Sequence, residues 1–266
     1  MNTIRGKRLS STMAGVGVVG VLVVLAVAGI AAAEKPVKVR TGNLELTFNG
    51  GFSPKALSKT KPTPIAFDVS GEIKTLDGTH PPALKEFIIE TDKNGAVSTK
   101  GYRKCKAGEL QSQDTEHAMA ICGDALIGTG RTDVEIAFPE QPPIPVKSRL
   151  LAFNGGTSGG VTTFFIHAYI TVPTPAAIVT TVKIKKIHRG RYGTEAVSTI
   201  PKIAGGSGSV KYFSLTIDQE YTYKGKKVSV LTLKCPDGKV QARGEAVFSD
   251  GTKAKAEVLR TCIPKG

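Results

Sequence analysis

The sequence predicts an all-β fold: one or two antiparallel β-sandwich (jelly-roll-like) domains with one short helix near Asp114–Ala125. Three observations carry that expectation. Apolar residues recur at every second position in a series of short runs, which turns one face of each strand inward and leaves the other to solvent. Glycine-bearing turn dipeptides separate the runs, as short antiparallel connections require. One segment, Asp114 to Ala125, departs from the pattern and is rich in Ala, Glu, Met and Ile.

Along the chain, Ile65, Phe67 and Val69 alternate with Ala66, Asp68 and Ser70, a clear strand. Asp77-Gly78, Asn94-Gly95, Asp237-Gly238 and Asp250-Gly251 suit tight connections with positive φ, and Asn94-Gly95 reads as a type I′ hairpin turn. In the helical segment Asp114 is placed to cap the start, and Ala118, Ile121 and Cys122 share a face. Val134, Ile136 and Phe138 restore the period of two. The proline-rich run from Pro139 to Pro145 follows, and proline cannot donate within a central strand. It divides the chain into an N-terminal β-half at 34–140, a connection at 141–145 and a C-terminal β-half at 146–266. Val161 to Val172 is apolar enough to be a strand buried on both faces. Phe213, Leu215 and Ile217 alternate with polar residues, and Tyr223-Lys224-Gly225-Lys226 reads as a hairpin turn. Val240, Ala242, Gly244, Ala246 and Phe248 then share one face.

Residues 1–33 read as an export signal. Arg5, Lys7 and Arg8 precede an uncharged stretch from Val16 to Ala33, which ends in the small-residue pattern a signal peptidase cleaves. No second apolar run of that length follows, so no lasting membrane span is expected after cleavage. The expected location is outside the cytoplasm, secreted or associated with the cell envelope. In that setting Cys105, Cys122, Cys235 and Cys262 read as two disulfides with three possible connectivities. Loop-closure entropy favours the local pairing, Cys105–Cys122 with Cys235–Cys262. No pair has CxxC spacing and no histidine clusters with a cysteine, which argues against a metal site. The net charge is +14, and removing 1–33, with its three basic and no acidic residues, leaves +11. The natural partner for such a charge outside the cell is an anionic wall or extracellular polymer, more than a specific nucleic acid.

Catalytic signatures are sparse, and no catalytic residue or cofactor is assigned. Gly156-Thr157-Ser158-Gly159-Gly160 matches GxSxG but lies between two strand-like runs, where a hairpin loop is expected instead of a nucleophile elbow. His80, His117, His167 and His188 are scattered, and His167 within its apolar strand reads as a hydrogen-bonded core residue. Glu90 to Gly95 has the alternating oxygens of a calcium loop without its later acidic ligand. The densest basic stretch, Val182 to Tyr192, turns Lys183 and Lys185 to solvent and Val182 and Ile184 inward. Lys183, Lys185, Lys186, Arg189 and Arg191 are therefore the candidate anion-binding residues, against the alternative of a strand edge kept soluble by its lysines. There is no Trp to stack on sugars.

Asp77 to Lys85, Thr91 to Gly95, Leu151 to Gly155, Phe165 to Tyr169, Ile203 to Ser209 and Lys234-Cys235-Pro236 together resemble a family of uncharacterised exported proteins from soil actinobacteria. The resemblance covers nearly all of residues 34–266. It implies export and carries no mechanism or site residues. The functional expectation is a non-catalytic exported β-protein, structural or binding, in contact with anionic wall polymers. The alternative is an exported hydrolase whose site is assembled from distant residues, and a third reading is a small-molecule carrier with an apolar cavity between sheets.

Overall fold

A computed structural model describes residues 34–266, and the export signal expected at 1–33 lies outside the described residues. The chain begins with β1 (Val37–Thr41), β2 (Leu44–Ser53), β3 (Ala56–Ser58), β4 (Thr63–Pro64), β5 (Ala66–Thr75), β6 (Leu84–Asp92) and β7 (Gly95–Val97). Helices α1 (Ala107–Leu110) and α2 (Thr115–Cys122) come next. A meander follows: β8 (Leu126–Ile136), β9 (Ile144–Ser158), β10 (Val161–Ile170), β11 (Ala176–Arg189) and β12 (Tyr192–Thr199), and then β13 (Gly208–Ile217). The chain finishes with β14 (Glu220–Tyr223), β15 (Lys226–Ser229), β16 (Leu231–Leu233), β17 (Lys239–Phe248), β18 (Lys253–Thr261) and β19 (Ile263–Lys265). The all-β class with a short helix is thus observed.

Twelve of these strands form one antiparallel sheet in the order β1-β2-β5-β13-β8-β9-β10-β11-β12-β6-β17-β18. The sheet curls until β18 lies against β1 and β2, so it is nearly closed and its walls face each other. Strict alternation directs this. On β18, Ala254, Ala256, Val258 and Arg260 are buried while Lys253, Lys255, Glu257 and Leu259 are exposed. An apolar interior with charges outside is the reverse of the pattern of barrels whose outer face meets lipid.

Residues 137–143 connect β8 to β9, and Ile144 and Pro145 of the expected connection already belong to β9, pairing with Ile136 and Glu135. Strands from either side of this connection alternate in the sheet: β13 lies between β5 and β8, and β6 between β12 and β17. The N- and C-terminal β-halves are therefore woven into one sheet, each supplying edges that the other pairs.

The seam between the first and last strands is held by side chains. The Arg260 guanidinium donates to the Gly50 carbonyl and to Asn49 Oδ1 (2.9 Å) on β2. Glu34 accepts from the Thr261 backbone and hydroxyl and from Lys55 (3.1 Å). Alongside, β19 pairs in parallel with β3. Burial alone would raise the Glu34 carboxyl, but these donors outweigh it and hold the group below its ordinary range.

One apolar cluster among the described residues lies on the outer side of the sheet. Leu151 and Phe153 on the outer face of β9 are covered by Leu110 of α1 and Ala118 and Cys122 of α2. That makes β9, more than the expected β10, the strand buried on both faces. The cap expected at Asp114 is present, its carboxylate accepting from the His117 backbone at 2.8 Å. Disulfides join Cys105 to Cys122 and Cys235 to Cys262, the local pairing. The second packs with Leu57, Ile65 and Leu233 at one end of the sheet.

Asn94-Gly95 does not form the expected type I′ hairpin turn. Neither residue has positive φ, and β7 pairs with β16 instead of folding back on β6. Asp92 causes the difference: its carboxylate accepts from the Asn94 backbone and amide, which bends the chain away, while Gly78, Gly238 and Gly251 keep the positive φ their turns need.

Candidate ligand cavity and the charged outer wall

The nearly closed sheet encloses a cavity of about 260 Å³. Phe67 and Val69 of β5, Leu215 of β13, Ile89 of β6, Ile166 of β10 and Val182 of β11 represent its apolar lining. Each is the inward member of an alternating strand, so the period of two that sets the fold also sets the lining. Phe87 and Phe213 meet edge to face across the interior at 5.1 Å, and Phe48 stacks on Phe87 at 6.0 Å. Gly71 makes this cluster possible, since a Cβ there would come within 2.5 Å of the Phe213 ring. The residues of β7 and β16 lie across the end of the cavity nearest Asp92.

The lining has two faces. The wall of β5, β13 and β8 is apolar and aromatic, whereas β6, β11 and β12 bring Thr91, Thr180, Thr194 and Ser198 inward. Thr132 on β8 spends its hydroxyl on the Tyr212 carbonyl at 2.9 Å. The hydroxyls of Thr91 and Thr194 have no hydrogen-bond partner among the described residues. They are not sealed in the protein interior either, because among the described residues the one fully buried unpartnered side-chain atom is His167 Nδ1. They open onto the cavity. Strand reading could have marked Thr194, Ala196 and Ser198 as one inward face; what hid them is that threonine is as ordinary on an outer strand face as on an inner one.

Asp92 is the one ionisable residue of the lining, and it is fully committed. One carboxylate oxygen accepts from Arg191 (2.8 Å) and the Gln241 backbone (3.2 Å), the other from Asn94.

Of the candidate anion-binding residues, Lys183 and Lys185 lie on the outer face of β11, Lys186 lies in the row opposite Thr194, and Arg189 and Arg191 flank the turn into β12; three of the five are already engaged. Lys185 pairs with Glu195 (2.8 Å), Arg189 bridges Glu90 (2.7 Å) and Glu195 (2.9 Å), and Arg191 spans Asp92 and Asp237 (2.7 Å). Arg243 takes the second oxygen of Glu90 and stands over the Tyr192 ring. Lys183 and Lys186 are exposed and make no ion pair among the described residues. The Lys185 bond is the main reason the Glu195 carboxyl sits below its ordinary range, against some burial. Asp237 is held down to about 2, chiefly by Arg191. Burial and the Tyr192–Glu257 bond push the Tyr192 phenol up to about 12.

The serine and histidine candidates are placed as follows. Ser158 is exposed at the β9–β10 hairpin, whose turn uses Gly159 and Gly160 at positive φ, as a loop reading of GxSxG requires. A different serine meets a histidine: Ser209 Oγ is 3.0 Å from His80 Nε2, and His80 Nδ1 is 2.9 Å from Glu135. Ser209 is only 1% exposed and donates to the Pro81 carbonyl at 2.6 Å. The row binds the His80–Pro81 segment to β8 and β13, and its hydroxyl is turned away from solvent. His167 is buried beneath α2, its Nε2–H donating to the Gln113 carbonyl at 2.8 Å. Cys105, Glu109 and Cys122 come together, but the two sulfurs are bonded to each other.

No family model matches the chain, and no curated protein is significantly similar to it.

Proposed function

We propose that this is a non-catalytic binding protein, exported from the cytoplasm, that carries an apolar small molecule inside its sheet. The cavity is the observation that carries the reading. Close-packed interiors leave few voids larger than a water molecule. The 260 Å³ cavity is far larger than such voids, and its apolar lining lacks the packing contacts that a ligand would supply. Apolar cavities with a few polar groups are the usual form of a small-molecule site. The two disulfides fit an oxidising compartment, and no helix among the described residues is long and apolar enough to cross a membrane. Contact with anionic wall polymers would rest on Lys183 and Lys186, since carboxylates neutralise Lys185, Arg189 and Arg191.

The test is direct. Protein purified from a secreting host should release an apolar molecule in about equimolar amount on solvent extraction. Once emptied, it should take up a neutral environment-sensitive dye. Ala196→Phe, which fills the cavity from β12, should abolish uptake without lowering Tm. A wild-type protein that releases nothing and takes up no apolar probe would remove the reading.

A further inference from the structure

The hydroxyl-bearing wall says what kind of molecule the cavity accepts; this step rests on the carrier reading and narrows it. Thr91 on β6 and Thr194 on β12 are direct cross-strand partners. Their β-carbons are therefore about 5 Å apart, and both side chains point inward. Two unpartnered hydroxyls at that separation can both reach one ligand oxygen, each as donor or acceptor. The Thr180 and Ser198 pair is offset: Ser198 faces Val182, and Thr180 lies two residues further along β11. Its hydroxyls are diagonal neighbours and converge less well.

Charge narrows the choice further. Among the described residues none that lines the cavity is cationic, Lys186 opposite Thr194 on β11 being exposed to solvent, and the Asp92 carboxylate is spent on Arg191, Asn94 and Gln241. A ligand carboxylate or ammonium would enter unpaired and lose its hydration, which is strongly unfavourable in an apolar interior. Size sets the remaining limit. An apolar cavity of ~150 Å³ is filled by one benzene, so a 260 Å³ cavity holds about ten to twelve non-hydrogen atoms.

We propose that the cavity takes an uncharged molecule of that size with one hydrogen-bonding head, an alcohol, ketone or ester, and that the head lies between Thr91 and Thr194. The apolar body of the ligand then lies against Phe67, Val69 and Leu215 of the opposite wall.

Three matched probes test this by calorimetric titration of the emptied protein: butylbenzene, 4-phenyl-1-butanol and 4-phenylbutyrate. The alcohol should bind about tenfold more tightly than the hydrocarbon, the worth of one well-made hydrogen bond. The carboxylate should not bind at neutral pH. In the double variant Thr91→Val with Thr194→Val, which keeps side-chain shape, the alcohol should fall to the affinity of butylbenzene and butylbenzene should be unaffected. The same substitutions made singly provide the measurement if the double variant does not fold. Thr180→Val with Ser198→Ala should leave the alcohol preference intact. Butylbenzene binding with no preference for the alcohol, a preference that survives the Thr91 and Thr194 substitutions, or tight binding of the carboxylate would each overturn the head-group assignment while leaving the carrier reading standing. Failure of both neutral probes to bind would instead remove the carrier reading itself.

Discussion

At the scale of single residues, Arg260 departs from the apolar alternation of β18 for a reason that lies on another strand. Only 7% exposed, it occupies an inward position after Ala254, Ala256 and Val258. There it satisfies the Gly50 carbonyl and Asn49 and lies 3.4 Å from Glu34. Arg260→Met should keep the packing volume and leave those acceptors without a donor, lowering stability by about 3 kcal/mol, read as a reduced urea midpoint at unchanged m. On β5, β8, β13 and β17 the apolar members of the inward faces are legible in the sequence, because period two needs no partner to be recognised. Alternation alone passes over Arg260, Thr91 and Thr194, whose meaning comes from what a strand more than a hundred residues away places opposite them.

At the scale of elements, α2 is legible in the sequence, whereas α1 and the true course of the Asn94-Gly95 turn are not. Asp114 announced α2 because a cap is local: the acceptor and the amide it serves are three residues apart. Asn94-Gly95 carries an equally local hairpin signal, but it is overruled by Asp92, which is fixed by Arg191 from a distant turn. A similar division holds for the basic stretch on β11. Its outward lysines follow from alternation, whereas the carboxylates that neutralise much of it come from β6, from β12 and from the turn before β17. The α1–α2 element covers β9 from outside and stands apart from the cavity. Replacing Cys105 and Cys122 together by Ala should therefore cost about 3 kcal/mol, given a sequence separation of 17 residues. Hydrogen exchange should show lost protection centred on α1 and α2, with binding of neutral probes in the cavity retained.

At the scale of the whole molecule, titrating groups combine to make the fold acid-labile in two stages. Burial depresses the His167 pKa from 6.5, only partly offset by its bond to Gln113. A base depressed in the folded state contributes stability that is complete above 6.5 and is lost as pH falls below it, because the unfolded chain binds the proton more readily. Glu34, Glu135 and Glu195 are held below 4.5 by their cationic or hydroxyl partners. Their contribution is complete above 4.5 and disappears as pH falls further, and Asp237 extends the loss towards its folded value of about 2. Tm measured against pH should decline first below about 6.5 and more steeply below about 4.5. His167→Leu should abolish the first decline and retain the second.

The seam has a consequence for how the chain is made. Because β1 and β2 meet β18, and β5 waits for β13, early strands keep open edges until the last residues have been synthesised. Such long-range pairing folds slowly and leaves adhesive edges exposed in the meantime. Were such a chain threaded through a membrane pore before folding, it would meet its C-terminal strands only on the far side, and the architecture would postpone assembly until translocation was over.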